Sequence, residues 1–308
     1  MAASAPRDRV HAAETLARAE GEEQRDQALS ALAAGIGDPR PEVRTTTCHS
    51  LAALELPDAW ELIVLCLTDT VPEVRQSAAI SLGTLGAKAA FAALAQALCE
   101  GPADLRFQAA TSLAEVDAEA AYPLLLDAIS SDEDAEVLGA LALSLGAIGN
   151  PESASRIAAL LTHDAPQTRF DAAYALAGLA DSRACEPLAR FLTDHDFGWD
   201  AVMALETLGK NSEEALGALL SQPLGAQRVR LRAAGALLAL GGQNEAAQSC
   251  LINGLRSRKI EHRGLALQEL ASCAGEWAKP ALLALHKSFR GRRMRGEIDE
   301  ILAGITGQ

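Results

Sequence analysis

Apolar residues along this chain recur on two beats, a short one that writes helices and a long one that writes a repeat. On the long beat, leucine stands at Leu16, Leu51, Leu82, Leu113, Leu145, Leu176, Leu205, Leu237 and Leu270. Each lies seven residues after an anchor position, occupied by Arg9, Arg44, Arg75, Arg106, Leu138, Arg169, Gly198, Arg230 and Arg263, with successive spacings of 35, 31, 31, 32, 31, 29, 32 and 33 residues. On the short beat, a second apolar segment in each period pairs residues four apart: Ile63/Leu67, Leu94/Leu98, Leu125/Ile129, Ile157/Leu161, Leu188/Leu192, Leu216/Leu220 and Leu251/Leu255. Spacing of four puts both members on one helix face. Each period therefore predicts a helix, a short turn and a second helix. Self-similarity on this scale predicts a solenoid whose units bury their apolar faces only against neighbours.

The polar positions punctuate the same period. Asp38-Pro39-Arg40-Pro41-Glu42-Val43-Arg44 and Asp69-Thr70-Val71-Pro72-Glu73-Val74-Arg75 both lead into a first helix. Asp38, Asp69 and Asp132 sit six residues before their anchors. An aspartate there can cap free backbone N–H groups and meets the positive helix end. The anchor arginine can reach an acid in its own turn or the next, which predicts a ladder of ion pairs. Gly86, Gly149 and Gly209 close first helices, where a left-handed residue is expected. Helices are predicted near Val10–Arg18, Glu23–Ile36 and, at the end, Met294–Ile305. The expected fold class is all-α: a right-handed superhelical α-solenoid of nine helical-hairpin repeats plus a C-terminal capping helix. One domain would span residues 1–308, with a frayed start at 1–7, repeats over 8–289 and a basic cap at 290–308.

The run Asp-x4-Val-Arg-x2-Ala-Ala-x2-Leu-Gly-x-Leu-Gly from Asp69 to Gly86 resembles the short HEAT-like repeat first described in phycobilin lyases. The resemblance covers the chain from Arg9 onwards and implies mostly scaffolds and adaptors, with a few enzymes and chromophore-attachment proteins. HEAT-like deoxyhypusine hydroxylases hold a di-iron site with His-Glu dipeptides, but here the six histidines are followed by Ala12, Ser50, Asp164, Asp196, Arg263 and Lys287. HEAT-like alkylpurine DNA glycosylases use a basic concave surface and a catalytic Asp. Trp199-Asp200 matches them in one dipeptide, on an acidic body. No residues here mark a chromophore pocket.

Composition changes the picture in three ways. Hydrophobic residues make up 49% of the chain and aromatics only 4%, which suits close packing of Ala- and Leu-rich helices. The densest apolar stretch, Leu62–Leu67, is far short of a bilayer span. The start has no apolar signal-peptide core. Cys48, Cys66, Cys99, Cys185, Cys250 and Cys273 are scattered without a CxxC pair, so they read as buried, reduced thiols of a cytoplasmic protein. Residues 256–308 carry ten Lys/Arg and six Asp/Glu, so the acidic excess of the net −14 lies in residues 1–255. An acidic body argues against tracking a nucleic-acid backbone.

Four features carry candidate chemistry. Trp60, Phe91 and Tyr122 occupy one position in three successive second helices, continued by Ala154 and Cys185, and predict an aromatic column able either to fill semi-buried space or to anchor a partner's helix or peptide. Flanking columns, Glu61, Ala92, Pro123, Ser155, Glu186, Glu214, Ser249 and Leu65, Gln96, Asp127, Ala159, Arg190, Ala218, Asn253, are expected on the concave side. The stretch Thr193-Asp194-His195-Asp196-Phe197-Gly198-Trp199-Asp200 breaks the repeat. There Asp194 or Asp196 can cap the next helix while Trp199 fills the space the arginine vacated; His195, Phe197 and Trp199 can instead contact a partner, and the acids with His195 can in principle hold a divalent metal. Finally, Arg290, Arg292, Arg293 and Arg295 form a basic tip, either a polar cap on the last repeat or a dock for an acidic partner, an anionic surface or nucleic acid.

No nucleophile–base pair, metal-ligand set or cofactor motif accompanies the repeat. The expected function is a non-enzymatic scaffold, monomeric and cofactor-free, holding a protein partner along its concave face. Trp60, Phe91 and Tyr122 would anchor it, and Glu61, Glu186 and Glu214 would select charge. The alternative is a lyase- or chaperone-like protein acting on a chromophore-bearing or modified partner. A third reading, nucleic-acid binding through residues 256–295, predicts steeply salt-dependent affinity.

Overall fold

A computed structural model describes residues 6–19, 22–56, 58–192, 194–221, 227–241 and 244–306. The described residues are helical, with no β-strand among them. They divide into two compact units, Met1–Asp171 and Ala172–Gln308.

In the first unit the hairpins are α1 (Pro6–Leu16) with α2 (Glu22–Ile36), α3 (Pro41–Ala53) with α4 (Ala59–Val64), α5 (Pro72–Leu85) with α6 (Phe91–Glu100), α7 (Ala103–Val116) with α8 (Ala118–Ser131), and α9 (Ala135–Ile148) with α10 (Ala154–Ala159). A 3-10 turn, Leu65–Thr68, extends α4. The unit boundary falls inside α11 (Pro166–Gly178), which is followed by α12 (Cys185–Phe191). The second unit continues with α13 (Gly198–Thr207) and α14 (Glu213–Leu220), α15 (Gln227–Ala239) and α16 (Glu245–Arg256), α17 (Ile260–Cys273) and α18 (Lys279–Lys287), and a final helix α19 (Arg295–Thr306). α1 begins at Pro6, four residues before the expected start, and residues 1–5 of the predicted frayed terminus lie outside the described residues.

First helices pack on first helices, α1 on α3, α3 on α5, α5 on α7 and α7 on α9, and in the second unit α15 on α17. Second helices form their own layer, with α6 on α8 in the first unit and α14 on α16 and α16 on α18 in the second. The anchored leucines sit where the layers meet: Leu51, Leu82, Leu113 and Leu145 are fully buried, as are Ile63, Leu94 and Leu125 from the facing helices. Alanines such as Ala78, Ala109 and Ala110 let the first helices approach closely. Leu161 departs from the pattern. It is half-buried, and Leu160 is buried in its place, because the helix tightens into a 3-10 turn there. Cys48, Cys66, Cys185 and Cys250 are buried thiols as expected, whereas Cys273 is half-buried and Cys99 is exposed at the end of α6.

Local chemistry sets the helix ends. Pro41 and Pro72 open α3 and α5 after the extended residues Arg40 and Val71, since proline fixes the helical φ and needs no donor at the first turn. Gly86 (φ 62°), Gly149 (φ 80°) and Gly209 (φ 57°) are left-handed, as their positions predict.

The arginine anchors and the turn aspartates form the expected ladder in the first unit. Arg9 pairs with Asp38, Arg44 with Asp69, Arg75 with Asp104 and Arg106 with Asp132. Asp38, Asp69 and Asp132 act ahead of the helix rather than as its cap, whereas Asp104 lies within the first turn of α7. Asp38 accepts from the N–H of Arg40 and Asp69 from that of Val71, and these receiving residues are the N-caps. Each of the first three carboxylates thus closes its own turn and binds the arginine of the preceding repeat.

Candidate functional site

The layer of second helices presents the predicted columns to solvent. In the first unit Glu61, Ala92, Pro123 and Ser155, and likewise Leu65, Gln96, Asp127 and Ala159, are exposed. In the second unit Glu186, Glu214, Ser249, Arg190, Ala218 and Asn253 are exposed as well. The reason is geometric: these positions flank the buried four-residue pair by two residues, so they point away from the first-helix layer. Leu65, 62% exposed, is the large apolar member of the set.

The aromatic column lies beneath this surface rather than on it. Trp60, Phe91 and Tyr122 are half-buried near the starts of α4, α6 and α8, and Ala154 and Cys185 at the same repeat position are buried. Tyr122 places its hydroxyl in the protein with no hydrogen-bond partner. Burial, reinforced by the charge of Glu152, pushes that phenol above its ordinary range.

Two grooves open at the other end of the second helices. One, of 440 Å³, runs between the α4 turn and α6 and is lined by Leu67, Asp69, Arg75, Gln96, Glu100 and Leu105 among others. The next, of 510 Å³, lies between α6 and α8 and is lined by Cys99, Arg106, Asp127, Ser131, Asp132 and Glu133 among others. Both are walled by ladder residues and rimmed by carboxylates: Glu100, which accepts from Gln96 Nε2 at 2.9 Å, in the first, and Asp127 and Glu133 in the second. Sequence reasoning placed Asp127 and Gln96 on this face but missed the grooves. The ladder pulls each turn against the preceding arginine, and the space left beside it follows only from three-dimensional packing.

The predicted charge selectors differ among themselves. Glu61 and Glu214 are exposed. Glu186 is bound to Arg190 at 2.6 Å, one helical turn away, so this pair is locally neutral.

At the irregular turn, Thr193 lies outside the described residues. Asp194 accepts from the N–H groups of Asp196 (2.9 Å) and Phe197 (3.3 Å), so it closes the turn before α13. Trp199 does not fill the space of the missing arginine: it is 58% exposed. The anchor is glycine because the backbone comes close, and a Cβ at Gly198 would stand 3.0 Å from the carbonyl oxygen of Leu192. Phe197 packs edge-on against Phe191 at 5.3 Å. His195 is fully exposed and pairs with the Asp196 carboxylate at 2.9 Å, which raises its pKa. Among the described residues no three His, Cys, Asp or Glu side chains converge as a metal site.

The basic tip is a turn, not a helix start. Arg290, Arg292 and Arg293 are exposed in the segment before α19, and only Arg295 belongs to the helix. The segment is drawn tight by Ser288, whose hydroxyl accepts from the Gly291 N–H at 3.1 Å, and by burial of Met294. No helix among the described residues is long and apolar enough to cross a membrane.

Comparison with known proteins agrees with this geometry. The profile of a family described as HEAT repeats matches residues 1–83, 61–146, 91–177 and 123–206. A search of curated proteins finds no match. Among solved structures, importin beta is similar over 93% of this chain and 46% of its own, at 13% identity and a TM-score of 0.63. YibA of E. coli is similar over 83% and 94%, at 18% identity and a TM-score of 0.53. The complex of the phycocyanin lyase subunits CpcE and CpcF from Nostoc sp. PCC7120 matches over 72% and 92%, at 21% identity and a TM-score of 0.48, too low to bear on function.

Proposed function

This chain belongs to the HEAT-repeat family, and from that premise we propose that it is a non-catalytic scaffold that holds a basic segment of a protein partner along the second-helix face of its first unit. The observation that carries the reading is the pair of consecutive grooves, 440 and 510 Å³, rimmed by Glu100, Asp127 and Glu133. A segment with Lys or Arg at helical spacing would meet these carboxylates at the rim while its apolar side chains lie against Leu67, Leu105 and Leu124. Leu65 and Glu61 extend the same face. Trp60, Phe91 and Tyr122 serve it as supporting walls rather than as projecting anchors, because their rings are half-buried. The remaining arginines of the grooves, Arg75 and Arg106, are held by Asp104 and Asp132, so they offer little to an acidic partner.

The test is binding of a labelled amphipathic peptide rich in lysine to the full chain, with Glu100→Lys/Asp127→Lys in parallel. Both residues are exposed, so folding is expected to survive. A loss of about ten-fold or more in affinity supports the reading, in line with the cost of facing like charges across an interface. Equal binding by the variant removes the second-helix grooves as the site.

A further inference from the structure

In three rungs of the first unit the ladder has one geometry. Arg9, Arg44 and Arg106 each give Nε and Nη2 to the two oxygens of a single aspartate. For Arg44 and Arg106, Nη1 meanwhile donates to a carbonyl a few residues back, that of Asp38 at 2.8 Å or Gly101 at 3.0 Å. In the fourth rung Asp104 takes Nη2 of Arg75 alone and leaves Nε over.

Arg263, in the second unit, repeats half of this arrangement. It is only 5% exposed. Its Nη1 donates to the carbonyls of Ser257 (2.8 Å) and Arg258 (3.0 Å), so the guanidinium is turned as in Arg44 and Arg106. Its Nε is buried without a partner. A buried guanidinium N–H left unpaired is costly, and the repeat explains what is missing. The carboxylate on Arg106 comes from Asp132, twenty-six residues later, whereas twenty-six residues after Arg263 stands Phe289, 87% exposed.

The neighbouring groove has changed in the same sense. Beside Arg106 it is lined by Cys99, Asp127, Ser131 and Glu133. At the same repeat positions beside Arg263 stand Arg256, Ala284, Ser288 and Arg290, and they line a cavity of 280 Å³. Glu133 has become Arg290, Asp127 has become Ala284 and Cys99 has become Arg256, while the arginine that wants an acid has been kept. Asp299 of α19 is engaged elsewhere, pairing with His286 Nε2 at 3.2 Å.

We propose that Arg263 is an open carboxylate seat for an acidic peptide segment of a partner protein. One Asp or Glu side chain would bind the Nε edge of Arg263 where Asp132 binds Arg106, and flanking acids would meet Arg256 and Arg290 along the cavity. Because Nε is closed off from water, the side chains packed over it have to give way as the carboxylate enters. The site belongs to the second unit and prefers the opposite charge to the grooves of the first, so the two readings stand or fall separately.

The experiment uses the full chain and a fluorescently labelled hexaglutamate peptide, followed by anisotropy at fixed salt. Phe289→Asp supplies the missing carboxylate from within. It is expected to raise the melting temperature and to weaken peptide binding about ten-fold or more, as befits loss of a charge-assisted pair. Phe289→Asn removes the same ring without a charge and should leave affinity within about two-fold, since it leaves the Arg263 edge open. Gly296→Asp, at an exposed position with open space around it, controls for net charge and should act weakly. Three results overturn the proposal: no binding of the peptide by the wild type, equal effects of Phe289→Asp and Gly296→Asp, or tighter binding of a short oligonucleotide of equal charge, which would make the tip a phosphate-binding surface.

Discussion

Arg44 and Asp69, twenty-five residues apart in sequence, meet side-on: Nε reaches Oδ2 at 2.6 Å and Nη2 reaches Oδ1 at 2.7 Å. Both side chains are only 12% exposed, so this pair works in a drier setting than a surface ion pair. It also carries the turn, because Asp69 accepts from the Val71 N–H and Arg75 Nη1 donates to the Asp69 carbonyl. Asp69→Asn would leave a largely buried guanidinium unmatched and should cost about 3 kcal/mol in denaturant unfolding at neutral pH. The hydrogen bond from Arg44 holds the Asp69 carboxyl below its usual range despite the opposing effect of burial. A depressed carboxyl stabilises fully above its unfolded pKa and loses that contribution as pH falls through the folded value. The gap between wild type and Asp69→Asn should therefore narrow on acidification; a gap independent of pH would count against an ionic rung.

The residue eleven positions after the anchor ends the first helix in a left-handed turn at Glu55 (φ 53°), Gly86, Gly149, Ala180 (φ 56°), Gly209 and Gly241. Four of these are glycine, and two carry a side chain that pays for the conformation with Cβ crowding. Ala180 is committed to it, because the following N–H of Asp181 donates to the Leu176 carbonyl at 2.9 Å. Glu55→Gly and Ala180→Gly should each stabilise the protein by about 0.5–1 kcal/mol, relief of strain exceeding the added entropy of the unfolded chain. Calorimetry on the two variants decides it, and lower melting temperatures would show the strain to be negligible.

The difference between those turns and the grooves explains what the sequence could and could not convey. Period, helix order, the buried leucines and the left-handed glycines are local properties written once per repeat, and nine copies average out noise. The ladder was foreseeable in kind, since an Arg and an Asp recur at fixed offsets. Its partners were not all so: Arg75 pairs with Asp104, which lies in the first turn of α7 and not six residues before an anchor. That Trp199 stays out of the space of the missing arginine was not legible, because sequence does not reveal that the Leu192 carbonyl crowds Gly198. The half-burial of Trp60, Phe91 and Tyr122 depends on how far neighbouring hairpins overlap, which no single repeat encodes.

Tyr122 offers a direct check on that overlap. Its hydroxyl is buried with no partner, and burial raises its pKa. Removing an unsatisfied buried hydroxyl while keeping the ring recovers its desolvation cost, so Tyr122→Phe should be stabilising by about 1 kcal/mol. Tyr122→Ala should instead cost about 2–4 kcal/mol, less than a fully buried ring would. A destabilising Tyr122→Phe would mean that the hydroxyl has a partner on this face.

Glu269 in α17 sets the most unusual pH behaviour. It is 6% exposed, and burial pushes its carboxyl up to about 7, although Arg232 Nη1 sits at 2.8 Å and pulls it back. The nearby charge of Glu206 adds to the rise. The close packing that buries it rests on Gly235, where a Cβ would fall on the Glu269 carboxylate. With the folded pKa above the unfolded one, the contribution of this group is fully present below about 4.5 and is lost as pH rises through about 7. This runs opposite to Asp69, so the two groups together favour a stability maximum on the acid side of neutrality. Glu269→Gln keeps the shape and removes the titration. It should match wild type near pH 5 and exceed it above pH 8 by on the order of 2–3 kcal/mol. Gly235→Ala should lower stability by about 1–3 kcal/mol at either pH, through overpacking against the carboxylate. If wild type and Glu269→Gln instead keep a constant difference across this range, the carboxylate is ionised throughout and Arg232 fully offsets its burial.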